Sequence, residues 1–290
     1  MQKLTVSNKE SGLRADIFVT KQKSRFSRAS LKKLFDRGLV QINGHQIRSS
    51  YKLKTGDNIE IDTTQLTKKP PSMKLPIIYE DGDVLVIDKP SGILTHSKGV
   101  LNIEATVASF IKPKLNDRTF RGNRAGIVHR LDRGTSGVII TAKNQKKQRF
   151  LQKQFSARKV KKYYIAIVEG KPKEQAAIID APIARNPRRP QTFKVSARGR
   201  PARTSYRVLK TLQKDDKIYS LVEFEPETGR THQIRVHATY IGHSIVGDPV
   251  YGKADGQLLL HAKTLEIKLP NGESKRFVAE VPTRFTEFVK

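Results

Sequence analysis

The chain has 290 residues, with 56 Lys and Arg against 27 Asp and Glu, a formal charge of +29 and a pI near 10.3. That length favours two domains over one, and that charge points to a polyanionic partner. No cysteine is present, which excludes disulfide staples, thiol catalysis and thiolate metal sites. No run approaches the roughly 18–20 apolar residues of a membrane-spanning helix, and MQKLTVSNKESG lacks a signal-peptide apolar region. The reading is of a soluble, cytoplasmic protein that works as a monomer without a membrane.

In chain order, SRASLKKLFDRGL comes first and predicts a short amphipathic helix, with Leu31, Leu34 and Phe35 on one face. Ser27 or Ser30 is placed to cap it and Gly38 to stop it. Asn43-Gly44 in LVQINGHQI predicts a tight hairpin, and YKLKTGDNIEID a turn and a further strand. The polar face carries Arg25, Arg28, Lys32, Lys33 and Arg37. Such a face is ordinarily only solvated; the charge of the whole chain favours contact with RNA. Residues 12–62 resemble the S-four domain, a small α+β RNA-binding fold, and the resemblance implies that these cations meet structured RNA.

TTQLTKKPPSMKLP is polar, contains proline and has no period, so residues 63–75 read as a linker. Beyond it, from 76 to 290, come many short β-rich runs: VLVID, GVIITA, YYIAIVEG, AAIIDAPIA, SYRVLKTL, IYSLVEFEP and LLLHAKTLEI. Helical stretches are few, namely NIEATVASFIK, NQKKQRFLQKQF and a segment after Thr228. KTLQKDDKIYSL reads as a hairpin. The expected class is α+β, with a large, mainly antiparallel mixed sheet flanked by helices and loops.

Two tracts here are basic without a single acid, nine Lys or Arg between Ala142 and Tyr163 and eight between Arg185 and Arg207. The first, with Phe150 and Phe155 on a helical spacing, predicts an amphipathic helix with a wet basic face. The second is rich in Pro, Gly and Arg and reads as a loop or finger for phosphate contact, with disorder as the alternative.

Acid and histidine patterns exclude several chemistries. EDGD at Glu80–Asp83 fits an acidic turn before a strand better than a metal-ligand set. His232 and His237 of THQIRVH are five apart, not the i, i+4 of a zinc helix, and no phosphate loop or dinucleotide fingerprint occurs. A glycosidase would need a second, protonated carboxylate. What remains is Asp132 in HRLDRGTSG, a lone carboxylate between Arg130 and Arg133. It suits a tight turn; as an anion it also suits a nucleophile or base, never an acid.

HRLDRGTSG resembles the signature of the RluA-type pseudouridine synthases. In the same order stand DKPSG (Asp88–Gly92), KYYIAIVEG, PETGRTHQIRVH (Pro226–His237), GDPVYG (Gly247–Gly252) and LHA (Leu260–Ala262). The resemblance covers nearly all of 75–290; Gly134, where that family often has an acid, departs from it. It implies isomerisation of uridine to pseudouridine in RNA. The bond from ribose to uracil N1 breaks, the base turns and C5 is joined instead, with no cofactor or metal consumed. It implies Asp132 as the catalytic residue, Tyr164 stacking on the uracil and Arg235, or else Arg230, pairing with Asp132. Arg130 would enter the RNA stack, with His129, Arg230 and Leu260 also at the substrate. Large-subunit (23S) ribosomal RNA, or a pre-ribosomal particle, is the expected partner. The same chemistry on tRNA and a non-catalytic ribosome-assembly factor are the rivals; a mere binder has no need of Asp132, Tyr164 and Arg235 together.

Overall fold

The computed structural model describes residues 1–24, 26–97, 103–120 and 122–289. The chain forms two compact units, one of Met1–Pro71 with the described members of 97–104, the other of Ser72–His96 and Ala105–Lys290.

In the first unit, strands β1 (Gln2–Thr5), β2 (Val40–Ile42), β3 (His45–Gln46) and β4 (Asn58–Ile61) make an antiparallel sheet in the order β1-β4-β2-β3. Helices α1 (Ala15–Gln22) and α2 (Arg28–Asp36) supply Phe18, Val19, Leu31 and Leu34 to its core. Ser27 is the α2 cap, its hydroxyl accepting the Ser30 N–H at 3.2 Å. Positive φ at Asn43 (49°) and Gly44 (80°) forms the expected hairpin turn. Two features differ from the sequence reading. The unit begins before Gly12, because β1 covers the edge of β4. The stretch 63–75 is not all linker, since a helical turn, α3 (Thr64–Thr67), buries Leu66 in this core.

The second unit is built on a nine-stranded sheet from β5 (Ile77–Glu80), β6 (Val84–Lys89), β7 (Ser136–Ala142), β8 (Lys161–Glu169), β9 (Ala176–Asp180), β12 (Arg203–Lys214), β13 (Lys217–Pro226), β14 (Leu260–Lys268) and β15 (Ser274–Val278). A separate hairpin joins β10 (Ile183–Arg185) to β11 (Phe193–Val195). The main path is β5-β6-β7-β14-β8-β13-β12-β9, and every pair is antiparallel except β7 with β14. Helices α4 (Val107–Ile111), α5 (Gln145–Ser156), α6 (Gln233–Tyr240) and α7 (Thr283–Val289) complete it. Both faces of the central strands are covered. Val84, Val86, Val138 and Ile140 enter one core, while Leu85, Ile87 and Ile139 enter another on the opposite face. This explains why GVIITA is apolar at nearly every position rather than alternating.

α5 corrects one apolar assignment. Leu151 is buried with Phe155 half-buried beside it, and Phe150 is exposed. EDGD is a turn in which Asp81 accepts the N–H groups of Asp83 and Val84, both at 2.7 Å. Among the described residues no helix is long and apolar enough to cross a membrane.

Candidate active site

Asp132 sits on the turn between Leu131 and β7, and that turn is held by the segment after β6. Thr95 Oγ1 donates to the Leu131 carbonyl (2.8 Å) and accepts its N–H (3.2 Å). Gly92 N–H donates to the Arg133 carbonyl at 2.8 Å, and the Ser91 hydroxyl donates to Gly134 O at 2.8 Å. Lys89, 0% exposed, donates to the carbonyls of Pro90, Ile93 and Arg133 at 2.9, 2.9 and 3.3 Å. Burial pushes this lysine down to about 7, against the upward pull of the Asp132 charge. Gly137 closes the turn with φ 112°, and a Cβ there would run into the Ala262 carbonyl. The DKPSG motif thus fixes the backbone on both sides of Asp132.

The opposite wall comes from α6. Its inward side chains Gln233, Arg235 and His237 are buried and polar, which is tolerable only because each is satisfied. Gln233 bonds Thr228, Arg203 and Thr204, while His237 bonds Thr204 and the Ala181 carbonyl. Arg235 forms a bidentate pair with Asp248, Nε to Oδ2 at 2.7 Å and Nη2 to Oδ1 at 2.6 Å. Asp248, 0% exposed, also accepts the N–H groups of Val250 and Tyr251. Burial pushes its carboxyl upward, but the Arg235 pair and those backbone bonds hold it below the usual carboxylate range.

Only Nη1 of Arg235 faces Asp132, 3.8 Å from Oδ2. The expected pairing of Arg235 with Asp132 is therefore a long contact, and the tight partner of Arg235 is Asp248. Arg230 turns elsewhere, its Nε donating to the Pro201 carbonyl at 3.0 Å. His232 Nε2 also stands 3.8 Å from Asp132 Oδ2. Tyr164, half-buried on β8, has its phenol raised by burial and further by the Asp132 charge, so it stays protonated. Lys162 donates to Thr228 O at 3.3 Å and is pushed down to about 8 by burial.

These groups border one cleft of about 510 Å³, lined by His129, Arg130, Asp132, Tyr164, Arg230, Arg235 and Leu260 among others. The structure thus brings together all seven site residues of the second unit that the sequence singles out. Their states differ. Arg130 is exposed and Leu260 buried. The His129 ring already accepts the Ile140 N–H at 3.1 Å and stacks on Phe155, and burial pushes it down to about 3. Through Nε2 it ties the segment before Asp132 to β7. In the first unit Lys32, Lys33 and Arg37 are exposed. Arg28 is engaged with the buried Asp16 at 2.8 Å, and Arg37 with Gln65 at 2.9 Å. Arg25 lies outside the described residues. Lys89, Asp248 and Tyr251 escaped the sequence reading as site residues, although DKPSG and GDPVYG carry them.

The RNA pseudouridylate synthase family profile matches residues 83–240, over half of the chain. The chain belongs to the RNA pseudouridylate synthase family. It is 37% identical to ribosomal large subunit pseudouridine synthase D of Borreliella burgdorferi, over 97% of this chain and 90% of that protein. Ribosomal large subunit pseudouridine synthase C of Vibrio parahaemolyticus is 32% identical over 94% of this chain and 90% of its own length. Among solved structures, human RNA pseudouridylate synthase domain containing 1 is 28% identical with a TM-score of 0.59, covering 73% of this chain and 86% of its own. The synthase is therefore an isomerase that acts on RNA. Its α+β fold with a large mixed sheet is shared with that solved structure.

Proposed function

We propose that the synthase converts uridines to pseudouridine in large-subunit ribosomal RNA, with Asp132 as the reacting carboxylate. The observation that carries the reading is Asp132 itself. It is a carboxyl group on a backbone clamped by Lys89, Ser91, Gly92 and Thr95, with its oxygens open to the cleft. Such a group can attack the ribose or take a ribose proton. Tyr164 stacks on the uracil, its phenol kept neutral beside the anion. Arg130, exposed at the mouth, fills the space the extruded base leaves. Arg235, Arg230 and Leu260 complete the wall against the base and its ribose. No step of this scheme consumes a cofactor or needs a metal, and a single copy of the chain supplies every residue named.

The ribosomal substrate rests on the names of the relatives, and the charge of +29 suits any large RNA. The first unit, S-four-like over 12–62, docks structured RNA through Lys32, Lys33 and Arg37, with Arg28; Arg25, outside the described residues, is assigned to the same contact from its place in the sequence; 76–290 carries the chemistry. The work is done in the cytoplasm. A pseudouridine map of cellular RNA with and without the protein tests the substrate. Loss of sites confined to large-subunit ribosomal RNA is expected, and loss only in tRNA would overturn it.

A further inference from the structure

Tyr251 touches both side chains that stand 3.8 Å from the Asp132 carboxylate, Arg235 and His232. Its ring lies under the Arg235 guanidinium at 5.1 Å, and its N–H donates to Asp248, the carboxylate that holds Arg235. Its hydroxyl lies 2.8 Å from His232 Nδ1 and accepts the N–H of Phe193 at 2.9 Å. In the tautomer whose Nδ1 accepts from this hydroxyl, the ring proton is on Nε2, the nitrogen 3.8 Å from Asp132 Oδ2. The His232 ring is wedged edge-on between Phe193 (5.7 Å) and Tyr251 (5.5 Å). Its backbone is left-handed, φ 57° and ψ 21°, a conformation that costs a side-chain-bearing residue energy and is retained where surroundings impose it.

Phe193 begins β11, so the same hydroxyl anchors the basic finger. The loop between β10 and β11 carries exposed Arg188 and Arg189, and the Arg185 guanidinium covers the Phe193 ring at 5.1 Å. We infer that Tyr251 is a positioning residue that sets His232 and Arg235 against Asp132, and that the β10–β11 finger, on gripping the RNA backbone, acts on the same hydroxyl. Both contacts to Asp132 stand at 3.8 Å, about 1 Å beyond a hydrogen bond. Small displacement at the finger base is therefore felt at the reacting carboxylate.

The inference rests on Asp132 as the reacting group, and its test keeps the two apart. Single-turnover rates are measured with saturating in vitro transcribed ribosomal RNA fragment, alongside the Kd and the melting temperature. Tyr251→Phe keeps the ring under Arg235 and removes the hydroxyl. It should slow the rate about 10- to 100-fold, the scale of a ~1 Å misplacement, with Kd and melting temperature nearly unchanged. His232→Gln, which can still reach Asp132, should retain more rate than His232→Asn, which fits the left-handed backbone but stops short. Arg188→Gln with Arg189→Gln should slow the saturated rate in the parent and add nothing in Tyr251→Phe.

A parental rate in Tyr251→Phe, a loss confined to Kd, or equal rates for the two His232 variants would overturn the positioning role. Multiplying effects of finger and Tyr251 would overturn the coupling. Turnover by Asp132→Asn would sink the underlying reading whatever Tyr251 does. An unfolded Tyr251→Phe, seen by melting, leaves the His232 pair to decide.

Discussion

Asp248 and Asp132 share one arginine, and their surroundings are opposite. Asp248 is fully buried and accepts four hydrogen bonds, from Arg235 Nε and Nη2 and from the N–H groups of Val250 and Tyr251. Asp132 keeps 19% of its side chain exposed, and among the described residues no donor comes within hydrogen-bond distance of its carboxylate oxygens. A carboxylate whose lone pairs are all engaged is an anchor. One whose neighbouring arginine and histidine stop at 3.8 Å retains its capacity to react. The enzyme spends its strong pair on fixing Arg235 and leaves Asp132 the weak face of the same guanidinium.

The largest effect on stability should come from breaking the anchor. Asp248→Asn leaves the Arg235 charge buried without its carboxylate, a loss on the order of 3–5 kcal/mol. Chemical denaturation of the full chain reads it, and a change under about 1 kcal/mol would show that Arg235 does not depend on Asp248. The Asp248 carboxyl is held low in the folded state, so its contribution is present above the unfolded carboxylate value near 3.9 and is lost as pH falls through the folded one. Asp248→Asn should therefore flatten the acid limb of stability against pH, while Asp132→Asn should leave overall stability nearly unchanged.

A smaller effect concerns the buried lysines. Lys89 is held at about 7 against an ordinary 10.5, so between those values the unfolded chain binds the extra proton and stability rises with pH. The slope is at most about 1.4 kcal/mol per pH unit for one group. Lys162, held at about 8, adds the same sign over a narrower window. Removing the amine in Lys89→Met should abolish the rise from 7 to 8 and leave part of it above 8. A rise unchanged in the variant would show that Lys89 is charged in both states.

The smallest effect separates cations that are free to meet RNA from one that is engaged. Lys32→Gln or Lys33→Gln should each flatten the log-log salt dependence of RNA binding by roughly 0.7–0.9. Arg28→Gln should do less, since Arg28 already bonds Asp16. Equal slopes for all three and the parent would remove the first unit from the RNA interface.

Legibility in the sequence followed the range of the interactions. The Ser27 cap and the Asn43-Gly44 turn are decided within a few residues and could be read directly. The strands could be read as apolar runs, and HRLDRGTSG singled out Asp132. Lys89 reads only as a basic residue ending a strand; its role needs the Arg133 carbonyl, 44 positions away. Arg28 looked like a cation available to RNA because Asp16 lies on another helix. Arg235 was legible as an arginine near the site, but its true partner is 13 residues on, across the turn that carries Asp248. Phe150 and Leu151 are adjacent, and only packing against the sheet decided which one is buried.

Turnover by the Asp132→Asn protein tests the central claim most directly. Asparagine keeps the size and the clamped turn and removes the anion. The variant should form no pseudouridine in its RNA over many parental half-times, at least about 10³-fold below the parent, while its Kd stays within a few fold and its denaturation midpoint is nearly unchanged. Pseudouridine formation at an appreciable fraction of the parental rate by the purified, folded variant would contradict the account.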